Sequence, residues 1–420
     1  MICRGNSPIP IPISEMALET PSWLNLDFTE RLLRMSEDDS TIRVIDIFVK
    51  PATAKGDNYT SDMMRVTVDF TRNQGDNKVT QKKSLIFKFE PIFTYTNRDN
   101  IRTFYKITKT EIFDTEITMM MDALKKMNDM LGYENRLGAR VLHVRMERPL
   151  CLIIEDLAPL GFRMADRQAG LDLAHSLLAM RGLGKFHGSS VALCEKVNIP
   201  PSKSASNKMT DFFTGGFLAL AKEVEQWSEL DKSYADKLRA LSSRLYSLGT
   251  EAIKRRDDQF NVINHGDCWV NNMLFRYEDG KPVQHIFVDF QLCVYASPAI
   301  DLLYFLSTSP TAQVYENSMD ELLNEYQRTL SSTMKQLNCK TAPPSVHEIK
   351  QYMEERQICA MIFSITVLPI ILLDKSEAKD IDELLSVDGS HDNPGFRNPV
   401  YRKIMVKRLR KYAESGLLDL

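Results

Sequence analysis

The sequence predicts an α+β protein built in two parts, a small β-rich part followed by a larger and mainly helical part. Between about 41 and 157, short runs rich in β-branched and aromatic residues alternate with turn residues and surround a single helical pattern. From about 158 onward, apolar residues recur at helical spacing. We therefore expect an N-terminal arm and first helix at 1–40, a β-rich lobe at 41–157 and a helical lobe at 158–420.

Each expected element follows from a local pattern. Short apolar runs bounded by turn residues predict strands, and apolar residues three and four positions apart predict helices. The strands expected in the first part are at 41–50, 64–70, 82–90, 139–146 and 150–154, and its helix is at 110–131. The helices expected in the second part are at 172–187, at 208–250 as one or two helices, at 320–337 and at 347–373.

A predicted hairpin at 273–288 interrupts the helices and has polar residues at both ends. Gly280 supplies its turn, because glycine adopts a positive φ without steric cost. Asp267 and Asn272 precede the first strand, and Asp289 follows the second. Each of these residues alone could serve only to cap a turn. Because all of them flank one hairpin, we expect their side chains to meet.

The spacing of these residues resembles the catalytic loop of protein kinases and related phosphotransferases. Asp267 and Asn272 fit the pattern H-x-D-x-x-x-x-N, and Asp289 stands where kinases carry the aspartate of D-F-G. In phosphoryl transfer, one carboxylate orients the attacking hydroxyl, and oxygen ligands hold Mg²⁺ against ATP. The resemblance assigns Asp267 as the catalytic base, and Asn272 and Asp289 as ligands of Mg²⁺.

A buried lysine with an acidic partner is expected upstream. Lys88 lies inside an apolar strand pattern, where an ammonium group is costly to bury without a partner. Glu116 lies beside the apolar stripe of the following helix, and Glu111 is the weaker candidate because it lies near the helix start. We predict a salt bridge between Lys88 and Glu116 that places the ammonium near the phosphates of ATP. A lone edge-strand lysine is the alternative.

Further matching segments run in order through most of the chain. They are GDNYTS at 56–61, SLIFKF at 84–89, FDTEI at 113–117, LIIEDL at 152–157, GKFHG at 184–188, HGDCWVNNMLF at 265–275, VDFQ at 288–291 and AIDLLYFLSTS at 299–309. In these segments the chain resembles the ecdysteroid kinase-like family, also called CHK kinase-like, which is related to choline kinases and aminoglycoside phosphotransferases. The resemblance implies a two-lobed protein-kinase-like fold, with a small β-rich N-lobe and a larger helical C-lobe.

The same resemblance implies roles for residues outside the hairpin. The backbone around Glu155, Asp156 and Leu157 would bond the adenine of ATP at a hinge between the lobes. Asp301 would brace the catalytic loop. A phosphate-covering loop is expected at 54–61, where Ser61 would contact ATP. This loop has a single glycine, so a plain hairpin turn is the alternative.

Composition limits the possible classes of function. A formal net charge of −3, without a basic patch interleaved with aromatic residues, argues against nucleic-acid binding. The one long apolar run, 358–373, is short for a membrane span and contains Pro369, so we expect a buried helix there. The seven cysteines are scattered without a C-x-x-C pair, which predicts free thiols and a cytoplasmic protein.

Two features favour a small-molecule acceptor over a protein acceptor. Only eleven residues separate Asp289 from Asp301, which leaves no room for a long activation segment ending in A-P-E. Gly266 precedes the expected base, where protein kinases carry an arginine that reads a phosphorylated loop. The acceptor should therefore bind in a pocket, and we expect its walls in the helices at 207–245 and 347–373.

Three hypotheses of function follow. In the first two, which require an acceptor pocket, Trp269 is a further candidate for the wall of that pocket. The leading one is an ATP-dependent kinase of a small alcohol, for which the family resemblance points to a sterol-like alcohol such as an ecdysteroid. The second is a kinase of choline or of xenobiotic metabolites, and choline would need a cage of aromatic and acidic side chains. The third, from another class, is a non-catalytic binding protein on a kinase fold. The sequence does not indicate an oligomeric state.

Overall fold

The computed structural model describes residues 20–52, 62–90, 112–196, 210–374 and 393–419. The predicted phosphate-covering loop, with Ser61, lies outside these described residues, as does most of the expected N-terminal arm. The architecture is the predicted one, with a β-sheet and two helices in the N-terminal part, followed by a mainly helical part that a hairpin interrupts.

A five-stranded antiparallel sheet forms the N-terminal part. Its strands are β1 (Arg43–Pro51), β2 (Asp62–Gln74), β3 (Asn77–Phe89), β4 (Val141–Arg145) and β5 (Cys151–Glu155), in the spatial order β1-β2-β3-β5-β4. β2 and β3 extend beyond the predicted strands to a turn at Gly75, where φ is +59°. The apolar pattern underestimated both strands because their ends near this turn are polar and largely exposed.

Two helices accompany the sheet. α1 (Leu26–Glu37) begins at Asn25, whose side chain accepts a hydrogen bond from the Phe28 N–H at 3.0 Å. α2 is described over 112–131 and contains a π-helical turn at Met119–Ala123. Phe113, Met120 and Leu124 of the predicted apolar stripe of α2 are buried, whereas Met121 is 48% exposed. Burial of these residues orients the helix so that Glu116 faces β3.

Most of the remaining chain is helical. The helices are α3 (Leu173–Lys196), α4 (Thr210–Val224), α5 (Ser233–Ser242), α6 (Leu245–Ala252), α7 (Ala299–Thr308), α8 (Ala312–Asn317), α9 (Met319–Gln336), α10 (Val346–Glu354), α11 (Gln357–Thr366), α12 (Leu368–Ile371) and α13 (Pro399–Glu414).

Two predicted helices are divided. The region predicted as one or two helices at 208–250 forms three, α4, α5 and α6. Asp231 lies at the division before α5, where its side chain accepts the Ser233 N–H at 2.9 Å. The helix predicted at 347–373 is divided into α10, α11 and α12. Pro369 lies in the first turn of α12, where its missing N–H leaves no helical hydrogen bond unmade.

The predicted hairpin consists of β8 (Met273–Glu278) and β9 (Lys281–Phe287), joined at Gly280 with φ of +76°. β6 (Phe162–Met164) pairs with β8, and β7 (Val262–Asn264) pairs with β10 (Val294–Ala296). These three-residue strands were not predicted, because three residues are too few to show a period. The β7–β10 pair brings together the chain before the catalytic loop and the chain after the hairpin.

The largest hydrophobic cluster extends from α2 and β5 through α3 to the hairpin, so it joins the sheet to the helical part. The apolar run at 358–373 lies in the helical part, where Met361 and Ile365 are fully buried. Its predicted burial is confirmed, although the run forms the two helices α11 and α12 and not one. Within the described ranges, no helix has both the length and the apolar character required to cross a bilayer.

Candidate active site

Lys88 lies at the centre of the candidate site. β3 places its ammonium group against α2, where it forms a salt bridge with Glu116 at 2.7 Å. A second salt bridge, at 2.8 Å, joins Lys88 to Asp289. The Lys88 and Glu116 side chains are only 4% and 3% exposed. The predicted salt bridge is therefore present, and Asp289 joins it from the end of the hairpin.

The charges of these three groups depend on one another. Burial favours the neutral amine, but the carboxylates of Asp289 and Glu116 outweigh it and raise the pKa of Lys88. Burial raises the pKa of Glu116 to about 7, although the Lys88 charge opposes that shift. An isolated ammonium group here would cost several kcal/mol. Lys88 therefore stays a cation, and its protons are directed at two acids.

Asp267 follows β7 and has both of its carboxylate oxygens hydrogen-bonded. Its Oδ2 accepts from the Asn272 amide at 2.8 Å, and its Oδ1 accepts from the Tyr304 hydroxyl at 2.6 Å. The Asn272 amide also donates to the backbone carbonyl of Asp267 at 3.0 Å. Burial raises the pKa of Asp267, although the Tyr304 hydrogen bond acts against this. The predicted base and a predicted metal ligand are thus in direct contact.

The backbone ties the end of the hairpin to the catalytic loop. The Val288 N–H donates to the Asn272 carbonyl at 3.0 Å, and the Val288 carbonyl lies 3.0 Å from His265 Nε2. Asp289 follows with φ of +69°, in the left-handed region that costs a non-glycine residue roughly 1–2 kcal/mol. The surrounding contacts hold Asp289 in this conformation, in which its carboxylate reaches Lys88.

Asp301, near the start of α7, holds the backbone of the catalytic loop. Its Oδ2 accepts from the His265 N–H at 2.6 Å, and its Oδ1 accepts from the Gly266 N–H at 2.9 Å. His187 Nε2 lies 3.1 Å from Oδ2, and the Asp301 and His187 side chains are both fully buried. This is the bracing contact that the family resemblance implied for Asp301.

A steric contact explains why a glycine precedes the predicted base, Asp267. Gly266 has a φ of +80°, and a β-carbon added there would lie 1.9 Å from the carbonyl oxygen of Leu292. Real β-carbons essentially never approach another heavy atom within 3.0 Å. An arginine, as protein kinases carry at this point, would require the loop or the Leu292 backbone to move.

Sequence reasoning did not identify Tyr304 as a residue of the site. Tyr304 lies on α7, 37 positions from Asp267 in the chain, and is 7% exposed. Its ring centroid lies 4.2 Å from that of Phe363 on α11. The sequence did contain one signal for Tyr304, namely its position three residues after Asp301 in a helical pattern. Residues at this spacing face the same side of a helix. That spacing could have placed a second polar group beside the catalytic loop.

The predicted hinge residues Glu155, Asp156 and Leu157 lie at the end of β5, next to β3. The Asp156 carboxylate accepts from Arg65 at 2.7 Å, and the Glu155 carboxylate accepts from Arg136 at 2.7 Å. Leu157 is buried in the cluster that joins the sheet to the helices. These side chains stabilise the hinge itself, and the contact of its backbone with adenine stays a prediction.

Most of the aromatic residues proposed as pocket walls serve in core packing. Phe217 is fully buried and Trp227 is 5% exposed, both in the core of the helical part, and Trp269 is 8% exposed in the cluster that includes the hairpin. Phe213 on α4 and Phe363 on α11 are only partly buried, and Phe363 differs in its contact with a residue of the site. It packs on Tyr304, so the predicted wall at 347–373 reaches the catalytic loop through one aromatic contact.

The available oxygens suit a hard divalent cation. Among the described contacts, Asn272 Oδ1 and Asp289 Oδ2 accept no hydrogen bond, because the Asn272 amide nitrogen faces Asp267 and Lys88 binds the other oxygen of Asp289. In the described part of the chain, no group of three or more His, Cys, Asp or Glu side chains could hold a metal by itself. Carboxylate and amide oxygens such as those of Asp289 and Asn272 are ligands that Mg²⁺ accepts.

Solved structures similar to this chain include an aminoglycoside phosphotransferase, a choline/ethanolamine kinase family protein and an ethanolamine kinase. The GDP complex of wild-type aminoglycoside 2'-phosphotransferase-IIIa has a TM-score of 0.42 and 11% identity, with 91% of this chain and 99% of that chain covered. A choline/ethanolamine kinase family protein from Mesorhizobium loti has a TM-score of 0.39 and 12% identity, with 86% and 87% covered. An ethanolamine kinase from Plasmodium vivax has a TM-score of 0.31 and 14% identity, with 77% and 82% covered.

No curated protein matches the chain. The family model described as the ecdysteroid kinase-like family matches residues 55–339. This region is more than half of the chain and includes β2, β3, α2, the hinge, the catalytic loop and the hairpin. The protein therefore belongs to the ecdysteroid kinase-like family, with the protein-kinase-like fold that the sequence predicted, and it is a kinase-type phosphotransferase.

Proposed function

We propose that this protein transfers the γ-phosphate of ATP to the hydroxyl group of a small apolar alcohol, with an ecdysteroid-like sterol as the preferred acceptor. The observation that carries the proposal is a charged triad together with a hydrogen-bonded aspartate–asparagine pair. Lys88 bridges Glu116 and Asp289, while Asp267 contacts Asn272. Phosphoryl transfer requires a cation for the phosphates, oxygen ligands for Mg²⁺ and a carboxylate for the acceptor, and these groups supply all three.

The donor half of the reaction uses Lys88 and the two metal ligands. An ammonium group has three N–H donors, and Glu116 and Asp289 accept two of them, so Lys88 can direct the third at the phosphates while Glu116 keeps it in place. Asp289 and Asn272 would hold Mg²⁺ through the oxygens that are free of protein hydrogen bonds. When bound, Mg²⁺ neutralises the charge that develops on the phosphate oxygens. The backbone of 155–157 would bond adenine.

The acceptor half uses Asp267. Its carboxylate oxygens each have two lone pairs, so each can accept a hydrogen bond from the alcohol in addition to the bond from Tyr304 or Asn272. Asp267 would orient the hydroxyl for attack on the γ-phosphorus and take up its proton. Holding the hydroxyl close to the phosphate lowers the barrier through proximity.

The preference for an apolar alcohol rests on the residues next to the base. Tyr304 contacts Asp267, and the partly buried Phe363 packs on Tyr304, so aromatic and uncharged side chains lie between the base and α11. A fused ring system would bury apolar area against such a wall. Choline, in contrast, would favour a cage of aromatic faces with a carboxylate. The family description also names an ecdysteroid-type substrate.

The proposal also covers location. We expect a cytoplasmic enzyme, since ATP is supplied there, and the six described cysteines are all free thiols.

The test is transfer of label from [γ-³²P]ATP with Mg²⁺ to a panel of alcohols. The panel contains an ecdysteroid, a plain sterol, choline, ethanolamine and an aminoglycoside, and each phosphorylated product is identified by mass spectrometry. We expect the ecdysteroid to give the highest kcat/KM, and we expect Asp267→Asn to remove transfer to every alcohol while retaining ATP binding. Calorimetric titration of ecdysteroid and choline into the ATP-loaded protein gives a second measure. Transfer to choline with no binding of any sterol would overturn the proposed acceptor.

A further inference from the structure

The carboxylate of Asp267 is held from two sides. Asn272 donates to Oδ2 at 2.8 Å, and Tyr304 donates to Oδ1 at 2.6 Å. The second bond has the length expected for an O–H donor to an ionised acceptor, and bonds of this kind are about twice as strong as neutral ones. With one donor on each oxygen, the carboxylate cannot rotate about its Cβ–Cγ bond without losing a hydrogen bond.

Tyr304 is itself firmly placed. Its backbone lies within α7, and its ring packs on Phe363 with a centroid distance of 4.2 Å and an interplanar angle of 34°. Three residues earlier in the same helix, Asp301 accepts two backbone N–H groups of the catalytic loop. Burial and the charge of Asp267 raise the pKa of Tyr304 well above its usual value, so its hydroxyl remains a donor.

We infer that Tyr304 is the positioning residue for the catalytic base, because its hydroxyl fixes the plane of the Asp267 carboxylate so that the remaining lone pairs face the acceptor hydroxyl. This inference rests on the proposed function. Asn272 cannot fix the plane of the Asp267 carboxylate alone, since one hydrogen bond to one oxygen leaves the carboxylate free to rotate about its Cβ–Cγ bond. Tyr304 contacts neither Lys88 nor Asp289 in the described structure, so its effect should be confined to the acceptor half of the reaction.

The competing explanation is that Tyr304 only satisfies a buried hydroxyl with the closest acceptor, as most buried polar groups do. The two explanations predict different effects of removing the Tyr304 hydroxyl. If the hydroxyl is merely structural, its removal lowers the stability of the protein, and enzymatic activity falls only in proportion to the folded fraction. A positioning hydroxyl affects kcat for transfer to the alcohol, leaves the KM for ATP unchanged, and alters how ATP turnover is divided between the alcohol and water.

The experiment compares Tyr304→Phe with Tyr412→Phe as a matched control. Tyr412 on α13 is also 7% exposed, and its hydroxyl makes one buried hydrogen bond, at 3.2 Å to Ser364. Both substitutions remove a single hydroxyl. We expect Tyr304→Phe to lower kcat for transfer to the alcohol roughly ten- to hundredfold, the range for a charge-assisted hydrogen bond and a misplaced reacting group, with an unchanged KM for ATP. The fraction of ATP hydrolysed without transfer should rise. Tyr412→Phe should match the wild type in both.

The inference is overturned if Tyr304→Phe keeps wild-type kcat and partitioning, or if its activity falls only in proportion to its folded fraction. A rise in the KM for the alcohol alone would also overturn it, because Tyr304 would then bind the acceptor directly. Crystal structures of both variants give a readout that needs no turnover. The Asp267 carboxylate should be rotated or split in Tyr304→Phe and unchanged in Tyr412→Phe. If the wild type transfers phosphate to no alcohol, the proposed function fails, and these structures still decide whether Tyr304 positions Asp267.

Discussion

Replacement of Gly266 by alanine tests whether the catalytic loop depends on the absence of a side chain at this position. The φ of +80° places Gly266 in the left-handed region, and an added β-carbon would lie 1.9 Å from the Leu292 carbonyl oxygen. The loop around Gly266 also carries Asp267, and Asp301 accepts the Gly266 N–H at 2.9 Å. Any movement that relieves this contact therefore also moves Asp267, the proposed base, and distorts the hydrogen bond between the Gly266 N–H and Asp301.

The magnitude follows from two separate costs. An alanine in the left-handed region costs roughly 1–2 kcal/mol relative to glycine. Relief of the steric contact requires the two atoms to separate by more than 1 Å, from 1.9 Å to beyond 3.0 Å. Overpacking of this kind costs about 1–3 kcal/mol. We expect Gly266→Ala to lose about 2–5 kcal/mol of unfolding free energy, and a base displaced by about 1 Å to lower kcat on the order of a hundredfold.

The assay pairs chemical denaturation with steady-state transfer kinetics. Gly280→Ala is the matched control, because Gly280 has a φ of +76° but nothing within 4 Å of an added β-carbon. The control should show only the conformational cost of about 1–2 kcal/mol and full activity. Equal destabilisation of the two variants, with kcat unchanged in both, would refute the steric argument. A loss of activity in Gly280→Ala would show that the hairpin turn matters for another reason.

Three further predictions follow from the charged groups. Asp289→Asn should abolish transfer and Mg²⁺-dependent nucleotide binding while retaining the fold, and undiminished turnover would remove Asp289 from the metal site. Lys88→Met should cost about 3–5 kcal/mol by leaving Glu116 and Asp289 unpaired, and adding Glu116→Leu should restore part of the stability but no activity. Burial lowers the pKa of His285 to about 3, below its ordinary 6.5, so the unfolding free energy should fall as pH drops below about 6.5, by at most roughly 1.4 kcal/mol per unit. His285→Leu should flatten that slope, and the exposed His347→Leu should not.

The positions of Lys88, Glu116 and the hairpin residues could be predicted because local rules determine them. A lysine in an apolar strand requires an acidic partner, and a hairpin brings its two ends together. The position of Asp289 at the end of β9 follows from the same pairing. Its salt bridge to Lys88 was not predicted, since it joins residues 201 positions apart and depends on how the sheet packs on the helical part.

Tyr304 shows the limit of this approach more clearly. In the sequence it is one aromatic residue in an apolar helix, and core packing explains such a residue well. Its role depends on the direction of one hydroxyl, which depends on the rotation of α7 about its axis. The positions of the helix divisions near Asp231 and Pro369 were not predicted either. The helical spacing of apolar residues continues through both positions, whereas the helical hydrogen bonds of the backbone are interrupted there.

The rotation of α7 is itself determined by chemistry at its first turn. Asp301 accepts the N–H groups of His265 and Gly266, so the start of the helix is fixed to the catalytic loop. Three residues span about 300° of helical rotation, which brings Tyr304 back to the same side, one turn further along. One helix face therefore holds both the backbone of the loop through Asp301 and the carboxylate of Asp267 through Tyr304. A displacement of α7 would move both contacts together, so the geometry of the base depends on the placement of this single helix.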